Sequence, residues 1–167
     1  MASCVPMRWN PQAELDEPDS PTVLVRVLPE GAGRAVYWRR GARAFVVLDP
    51  SLEGCERAAA LGHELIHHER GGLCDDVGMP AAWGAVVARE ERAVNREVAR
   101  RMVPVDELEE FVVGMADLGL SAGPGEVAEQ FDVAQWVAEV ALELLLDRDR
   151  REDRSGVAER AGHPQAV

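Results

Sequence analysis

The sequence predicts an α+β fold, a minimal domain in which a small antiparallel β-meander precedes a mainly helical part. Runs of β-branched and aromatic residues are confined to positions 22–49, where turns rich in Gly and Pro separate them. Positions 51–146 instead show the apolar spacing of amphipathic helices. The chain has 167 residues, 47% of them apolar, which is enough to bury one core. We therefore expect one domain, residues 22–147.

The strands follow an N-terminal arm, residues 1–21, that we expect to be extended. This arm contains Pro6, Pro11, Pro18 and Pro21, and proline lacks the backbone donor that helix interiors and central strands need. The meander after it is predicted to consist of strands at residues 22–28, 35–39 and 44–49.

Five helices are predicted after the strands. Asp49 and Pro50 suit the start of the first helix, which continues to a Gly-Gly pair, and Pro104 ends the second. The predicted ranges are 51–70, 81–102, 106–118, 124–131 and 133–146, and residues 124–146 form a C-terminal helical segment. Residues 148–167 are charged or polar without an apolar period, so we expect a disordered tail.

Charge and cysteine content exclude several classes of protein. Asp and Glu number 30 against 18 Lys and Arg, and the net charge of −12 opposes binding to nucleic acid phosphates. The sequence has no run of about 18 apolar residues and no signal-peptide pattern, so we expect a cytoplasmic protein without a membrane span. Cys4, Cys55 and Cys74 form no Cys-x-x-Cys pair, which favours reduced thiols.

The first predicted helix carries the segment His63-Glu64-Leu65-Ile66-His67. Successive helical residues turn by about 100°, so His63 and His67 lie on one face and can bind a single metal ion. Glu64 lies beside them, where its carboxylate can hold a metal-bound water. In zinc peptidases such a glutamate takes the proton of the water and later passes it to the leaving amine. The sequence therefore predicts a Zn²⁺ site that hydrolyses amide bonds.

Chance could also produce this motif in a chain with four histidines. Against chance, two of the four occupy this frame on a well-formed helix, where unliganded imidazoles gain little from partial burial. His68 points about 100° away from His67, as expected of a surface or supporting residue. His163 falls in the predicted tail and is not expected to take part.

A catalytic zinc needs a third protein ligand, and Glu91 on the second predicted helix is the candidate. On a helical wheel Glu91 lies in the middle of an apolar stripe, where a carboxylate is costly unless it is paired or bound to a metal. The stripe consists of Val87, Ala88, Val94, Asn95, Val98, Ala99 and Met102. Glu91 could instead pair with Arg89 or Arg92 at the edge of the stripe. Glu90, on the polar side, is the alternative third ligand.

Two further residues are candidates for supporting roles. Asn95, one turn after Glu91, can accept a hydrogen bond from the second ring nitrogen of a ligand histidine, although a satisfied core amide explains it nearly as well. Tyr37 lies on a strand that could flank the cleft, where it could stabilise the oxyanion. Asp75 and Asp76 follow a Gly-Gly pair and are expected to form turns rather than to bind metal.

The region from residue 48 to residue 104 resembles the ImmA/IrrE family of bacterial metallopeptidases. The resemblance is carried by Asp49-Pro50-Ser51, Ala60-Leu61-Gly62-His63-Glu64-Leu65-Ile66-His67-His68-Glu69, Glu91, Asn95 and Met102-Val103-Pro104. Residues 127–133 are also similar to the family's C-terminal segment. Where the family usually has a second acid and a Phe-Ala pair, this chain has Ala93, Glu97 and Val98, which leaves Glu91 as the acid in register for the third ligand.

The resemblance implies a minimal, gluzincin-like zinc endopeptidase. It also implies a protein substrate, typically a helix-turn-helix transcription repressor that is cleaved at a specific site. A catalytically idle module that binds a DNA-binding partner protein is the alternative. Residues 124–146 could be mistaken for a helix-turn-helix reader of DNA, but they include Glu139 and Glu143 and no Lys or Arg. We therefore expect no direct nucleic acid binding.

Overall fold

A computed structural model describes residues 9–30, 33–71 and 83–161, and of residues 152–161 only the backbone is described. Within these ranges the chain forms an α+β fold, as the sequence predicts. The strands are β1 (Thr22–Val25), β2 (Ala35–Arg40) and β3 (Arg43–Leu48), and the helices are α1 (Gly54–Glu69), α2 (Gly84–Met102), α3 (Val105–Asp117), α4 (Pro124–Phe131) and α5 (Gln135–Ala161). None of these helices is long and apolar enough to cross a lipid bilayer.

The sheet is mixed, which corrects the predicted antiparallel meander. Its strand order is β1-β3-β2, with β2 and β3 antiparallel across the turn at Gly41 (φ 60°) and β1 parallel to β3. β1 and β2 run in opposite directions, as expected, but their connection is wide enough for β3 to insert between them. β3 has the most apolar sequence and fully buries Val46 and Leu48, which favours the central position.

Helix α1 lies between the sheet and the other helices. Leu61 and Leu65 pack on the sheet in a cluster with Tyr37, Val46, Leu48 and Leu52. On the opposite side, Ala59 and Ile66 belong to the larger core that α2, α4 and α5 complete. Because both sides of α1 are packed, the orientation of its histidines is held by the cores of the whole domain.

Helix α1 starts later than the sequence predicts. The carboxylate of Asp49 accepts a hydrogen bond from the backbone amide of Ser51 at 2.9 Å, which forms a turn rather than a helix cap. The helix begins at Gly54, whose φ of 50° sets the change of direction at its start.

Residues 9–21 pack against α1 and include a 3-10 turn, so this part of the predicted arm is not extended, while residues 1–8 lie outside the described residues. The indole of Trp9 covers Gly62, lies 5.2 Å from the guanidinium of Arg101, and donates a hydrogen bond to Glu14. Glu14 belongs to a short 3-10 turn, Ala13–Asp16. Burial of an indole ring offsets part of the entropy lost on ordering this segment, and the prolines lower that entropy in the unfolded chain.

A substitution at Gly62 tests how closely the arm is packed. A Cβ atom there would lie 2.8 Å and 2.9 Å from ring atoms of Trp9, so we expect Gly62→Ala to lower the free energy of unfolding by about 1–3 kcal/mol. Gly114→Ala is the control, because among the described residues no atom from outside its own helical turn lies within 4 Å of the added Cβ, and the change should stabilise α3 by about 0.5–1 kcal/mol. Urea unfolding measures both. A similar loss at both positions would contradict the packing.

Helix α5 continues to Ala161, so residues 148–161 of the predicted disordered tail are helical, and the rest of that tail lies outside the described residues. Propagating a helix that a packed segment has already nucleated adds one hydrogen bond per residue, and Arg and Glu are good helix formers. Arg148 also joins the start of this extension to α3, because its guanidinium lies 2.6 Å from the carboxylate of Glu109. An apolar stripe is therefore not required for helical structure beyond Asp147.

Candidate metal centre

Two histidines of α1 and a glutamate of α2 converge on one point. The Nε2 atoms of His63 and His67, one turn apart, are 2.9 Å from each other. The two carboxylate oxygens of Glu91 lie 3.2 Å from Nε2 of His63 and 3.3 Å from Nε2 of His67. Among the described residues, these three side chains form the group whose potential ligand atoms all lie within 4.8 Å of one another.

The donor set and its spacing fit a zinc ion. Bonds of about 2.0–2.1 Å in a tetrahedral arrangement separate two ligand atoms by about 3.3 Å, close to the distances among these atoms. Two imidazole nitrogens and a carboxylate oxygen are also ligands that zinc commonly takes in catalytic sites. The residues present are therefore able to hold Zn²⁺ without a large rearrangement.

Asn95 selects the tautomer of His63. Nδ1 of His63 lies 3.0 Å from Oδ1 of Asn95, and an amide oxygen can only accept a hydrogen bond. The ring proton is therefore on Nδ1, and the lone pair of Nε2 faces the metal centre. This is the contact that helical spacing predicts for Asn95.

Both ring environments favour neutral imidazole, the form that binds metal. Burial lowers the pKa of His63, although the carboxylate of Glu91 acts in the opposite direction. Burial also lowers the pKa of His67, and the neighbouring His63 lowers it further. His67 is 4% exposed, and its Nδ1 is buried without a hydrogen-bond partner among the described residues.

The surroundings of Glu91 differ from the prediction in one respect. Its side chain is 37% exposed, so it lies at the margin of the core rather than in the middle of a buried face. The apolar residues of the stripe are buried from Val94 to Met102, but the first turns of α2 extend beyond the core and leave Ala88 exposed. The carboxylate of Glu91 faces the rings of His63 and His67, not the guanidinium groups of Arg89 or Arg92.

Two arginine–carboxylate pairs fasten α1 to α2 beside the centre. Arg70 contacts both oxygens of Glu90, at 2.5 Å and 2.9 Å, and lowers the pKa of that carboxyl. Arg101 contacts both oxygens of Glu69, each at 2.7 Å. Bidentate pairs are geometrically specific, so they help to hold Glu91 opposite the histidines. Both carboxylate oxygens of Glu90 are hydrogen-bonded to Arg70, so Glu90 is not part of the converging ligand group.

Glu64 lies beside the centre in an open cleft of about 570 Å³. Its side chain is almost fully buried, with 7% exposure, and it lines the cleft together with His63 and Asn95. The cleft also contains Arg34, Trp136 and Glu139, which the sequence does not single out for this site. The ring of Trp136 is centred 6.3 Å from that of His63, nearly perpendicular to it.

Tyr37, the residue proposed to stabilise the oxyanion, contacts the histidine that follows the metal-binding motif. Its hydroxyl lies 3.0 Å from Nδ1 of His68, and its side chain is buried between the sheet and α1. Nε2 of His68 lies 3.0 Å from the carbonyl oxygen of Asp19, which can only accept. Nε2 of His68 therefore donates a hydrogen bond to that carbonyl oxygen, and His68 links the N-terminal arm to the sheet.

Other residues considered from the sequence lie outside the described part of the chain. These are Cys4, Cys74, Asp75, Asp76 and His163. Cys55, which is described, is a partly buried free thiol, as expected for a reduced cysteine.

Comparison of the chain with protein-family models, with curated proteins and with solved structures found no match. The resemblance to the ImmA/IrrE peptidases therefore depends on the motif residues themselves.

Replacement of Asn95 tests its action on the metal centre. We expect Asn95→Ala to weaken zinc binding by about 10–100-fold, because His63 then loses the acceptor that fixes its ring proton and orientation. Asn95→Asp keeps an oxygen acceptor and should retain most of the affinity. Competition against a chromophoric chelator measures both variants, and thermal unfolding checks that they are folded. Equal zinc affinity in Asn95→Ala and the unchanged protein would contradict this role.

Proposed function

We propose that this protein is a zinc-dependent endopeptidase whose metal is held by His63, His67 and Glu91. The observation that carries the proposal is the convergence of these three ligand groups beside the buried Glu64, at an open cleft. A structural zinc site is normally closed by four protein ligands, whereas a catalytic site keeps one position for water or substrate. Within the described part of the chain three ligand residues converge, and one of them, His63, lines the cleft, which favours the catalytic kind.

Each residue then has a separate part in peptide hydrolysis. Bound zinc would polarise the scissile carbonyl group and lower the pKa of the attacking water toward neutrality. Glu64 accepts the proton of that water as it attacks and later donates the proton to the leaving amine. Asn95 holds His63 in the tautomer whose Nε2 faces the metal, and the buried surroundings keep both histidines neutral.

The proposed substrate is a helix-turn-helix transcription repressor, on the basis of the resemblance to the ImmA/IrrE family. The net charge of −12 supports association with such a protein, because DNA-binding domains are usually basic and opposite charges accelerate encounter. Site-specific cleavage would inactivate the repressor. Binding without cleavage would instead describe a regulatory interaction module.

The test combines the zinc-loaded, full-length protein with the helix-turn-helix regulator encoded nearest to it. We expect one cut, located by mass spectrometry of the two fragments, and no cut after chelation of zinc. Stable binding of the regulator without any cut would contradict the endopeptidase function and favour the regulatory interaction module. Cleavage of unrelated proteins but not of this regulator would remove the repressor as the substrate.

A further inference from the structure

The cleft beside Glu64 has two facing helical walls. On α1, Glu56, Ala60 and His63 are spaced by four and three residues and so lie along one face that leads to the metal centre. On α5, Trp136 is followed by Glu139 and Val140 at the same kind of spacing, and all three line the cleft. A peptide bound at the centre would therefore contact α5 as well as α1.

The charges of these walls are predominantly negative. Arg34 lies 3.7 Å from Glu56, so its positive charge is largely offset by that carboxylate. Glu139 is exposed on the opposite wall and accepts a hydrogen bond of 3.2 Å from the neutral amide of Gln135. A neutral donor leaves the charge of Glu139 in place. The α5 wall thus presents a carboxylate to whatever occupies the cleft.

The same wall offers an apolar surface directly beside that carboxylate. Trp136 and Val140 are partly buried, and Trp136 also lies next to His63. An arginine or lysine side chain matches this combination, because its aliphatic stem packs on apolar surface while its cationic head reaches an acid. The indole adds a cation–π attraction, which is strongest for tryptophan. Aspartate or glutamate at the same place would be repelled.

We infer that the wall formed by Trp136, Glu139 and Val140 selects a substrate segment with an arginine or lysine adjacent to the bond that is cut. This inference rests on the proposed endopeptidase function and specifies the substrate for that site. Trp136 lies beside His63, with ring centroids 6.3 Å apart, so the selected basic residue of the substrate would lie next to the bond that is cut rather than at a distant position in the substrate. Basic DNA-binding proteins offer many segments of this composition.

The test measures peptide binding, so it requires neither hydrolysis nor bound zinc. The probes are three acetylated, amidated heptapeptides of alanine that carry arginine, norleucine or glutamate at the central position. They are titrated into full-length Glu64→Gln protein, with and without zinc, and binding is followed through the indole N–H resonance of Trp136. That resonance is assigned by its absence in Trp136→Phe.

We expect the arginine peptide to bind about tenfold more tightly than the glutamate peptide, a difference of about 1.4 kcal/mol, with norleucine between them. When Glu139→Gln is combined with Glu64→Gln, this ratio should fall to about threefold or less, and Glu139→Lys in the same protein should invert it. Glu110→Gln on α3 is the control, because it removes the same charge from an exposed residue outside the cleft and should leave the ratio unchanged.

Two results would overturn the inference. One is equal affinity for the arginine and glutamate peptides, and the other is the same preference in the Glu139→Gln and Glu110→Gln proteins, which would attribute it to overall charge. The proposed function fails by a different measurement, since a protein that never cleaves a repressor can still show the peptide preference. Conversely, cleavage that depends on Glu64 but shows no preference for basic residues would support the endopeptidase function and contradict the selection of basic residues by Trp136, Glu139 and Val140.

Discussion

Replacement of Glu64 by Gln is expected to abolish peptide hydrolysis while zinc content and fold stay unchanged. Gln has nearly the same shape but cannot accept the proton of the attacking water at neutral pH. General bases contribute roughly 10²–10⁴ in rate, so cleavage of the repressor should slow by at least about 100-fold. Single-turnover cleavage measures the loss, elemental analysis gives the zinc content, and circular dichroism reports the helices. Glu64 is outside the converging ligand group, so zinc should be retained.

A matched control separates this effect from a general change in α1. Glu53→Gln makes the same chemical change at an exposed residue that precedes the helix and is expected to leave the cleavage rate unchanged within about twofold, because exposed charges contribute little. A loss below about tenfold in Glu64→Gln would contradict its role as the base. Loss of zinc in that variant would assign Glu64 to metal binding instead.

Much of the candidate metal centre could be predicted because helical spacing is a local rule. His63 and His67 face the same point since they are one turn apart, and Asn95 lies one turn after Glu91 on α2 for the same reason. The structure places Asn95 on His63 and Glu91 on both rings, at the distances given above. What the spacing could not provide is the degree of burial of Glu91, which depends on how far α2 extends beyond the core.

The remainder of the cleft depends on contacts between distant parts of the chain. Trp136 reaches His63 only because α5 packs near α1, and no periodicity within either helix contains that information. Tyr37 illustrates the same limit, because its strand was predicted while the contact of its hydroxyl with His68 was not. A single aromatic residue on an amphipathic helix is ordinarily part of the core, so the sequence carries no separate signal for Trp136.

The fold shows the same division between local and distant interactions. Helix α4 has the predicted range, Pro124–Phe131, since Pro at its start and the glycine before it are local signals. The parallel pairing of β1 with β3 was missed because strand propensity does not specify the partner or its direction. The packing of the N-terminal arm was missed because it depends on Trp9 meeting Gly62, more than fifty residues later in the chain.

Glu91→Gln is expected to release zinc, and the effect should be larger than that of any supporting residue. Loss of a residue that only orients a ligand weakens metal binding by about 10–100-fold, so removal of a ligand charge should exceed about 100-fold. Glu91 supplies the negative charge among the three ligands, because His63 and His67 bind as neutral rings. An amide in its place would leave the two positive charges of the ion without a charged ligand. Competition with a chromophoric chelator measures the affinity.

Glu90→Gln distinguishes a ligand from a neighbouring acid, since it makes the same change one residue earlier on α2. Glu90 (14% exposed) pairs with Arg70 (43% exposed), so the variant should lose some stability. Its zinc affinity should stay within about threefold, because the Arg101–Glu69 pair still joins α1 to α2. Full zinc content in Glu91→Gln together with loss in Glu90→Gln would transfer the third ligand to Glu90. The expected order is the reverse, because both oxygens of Glu91 already face the histidine rings while both oxygens of Glu90 are bound by the guanidinium of Arg70.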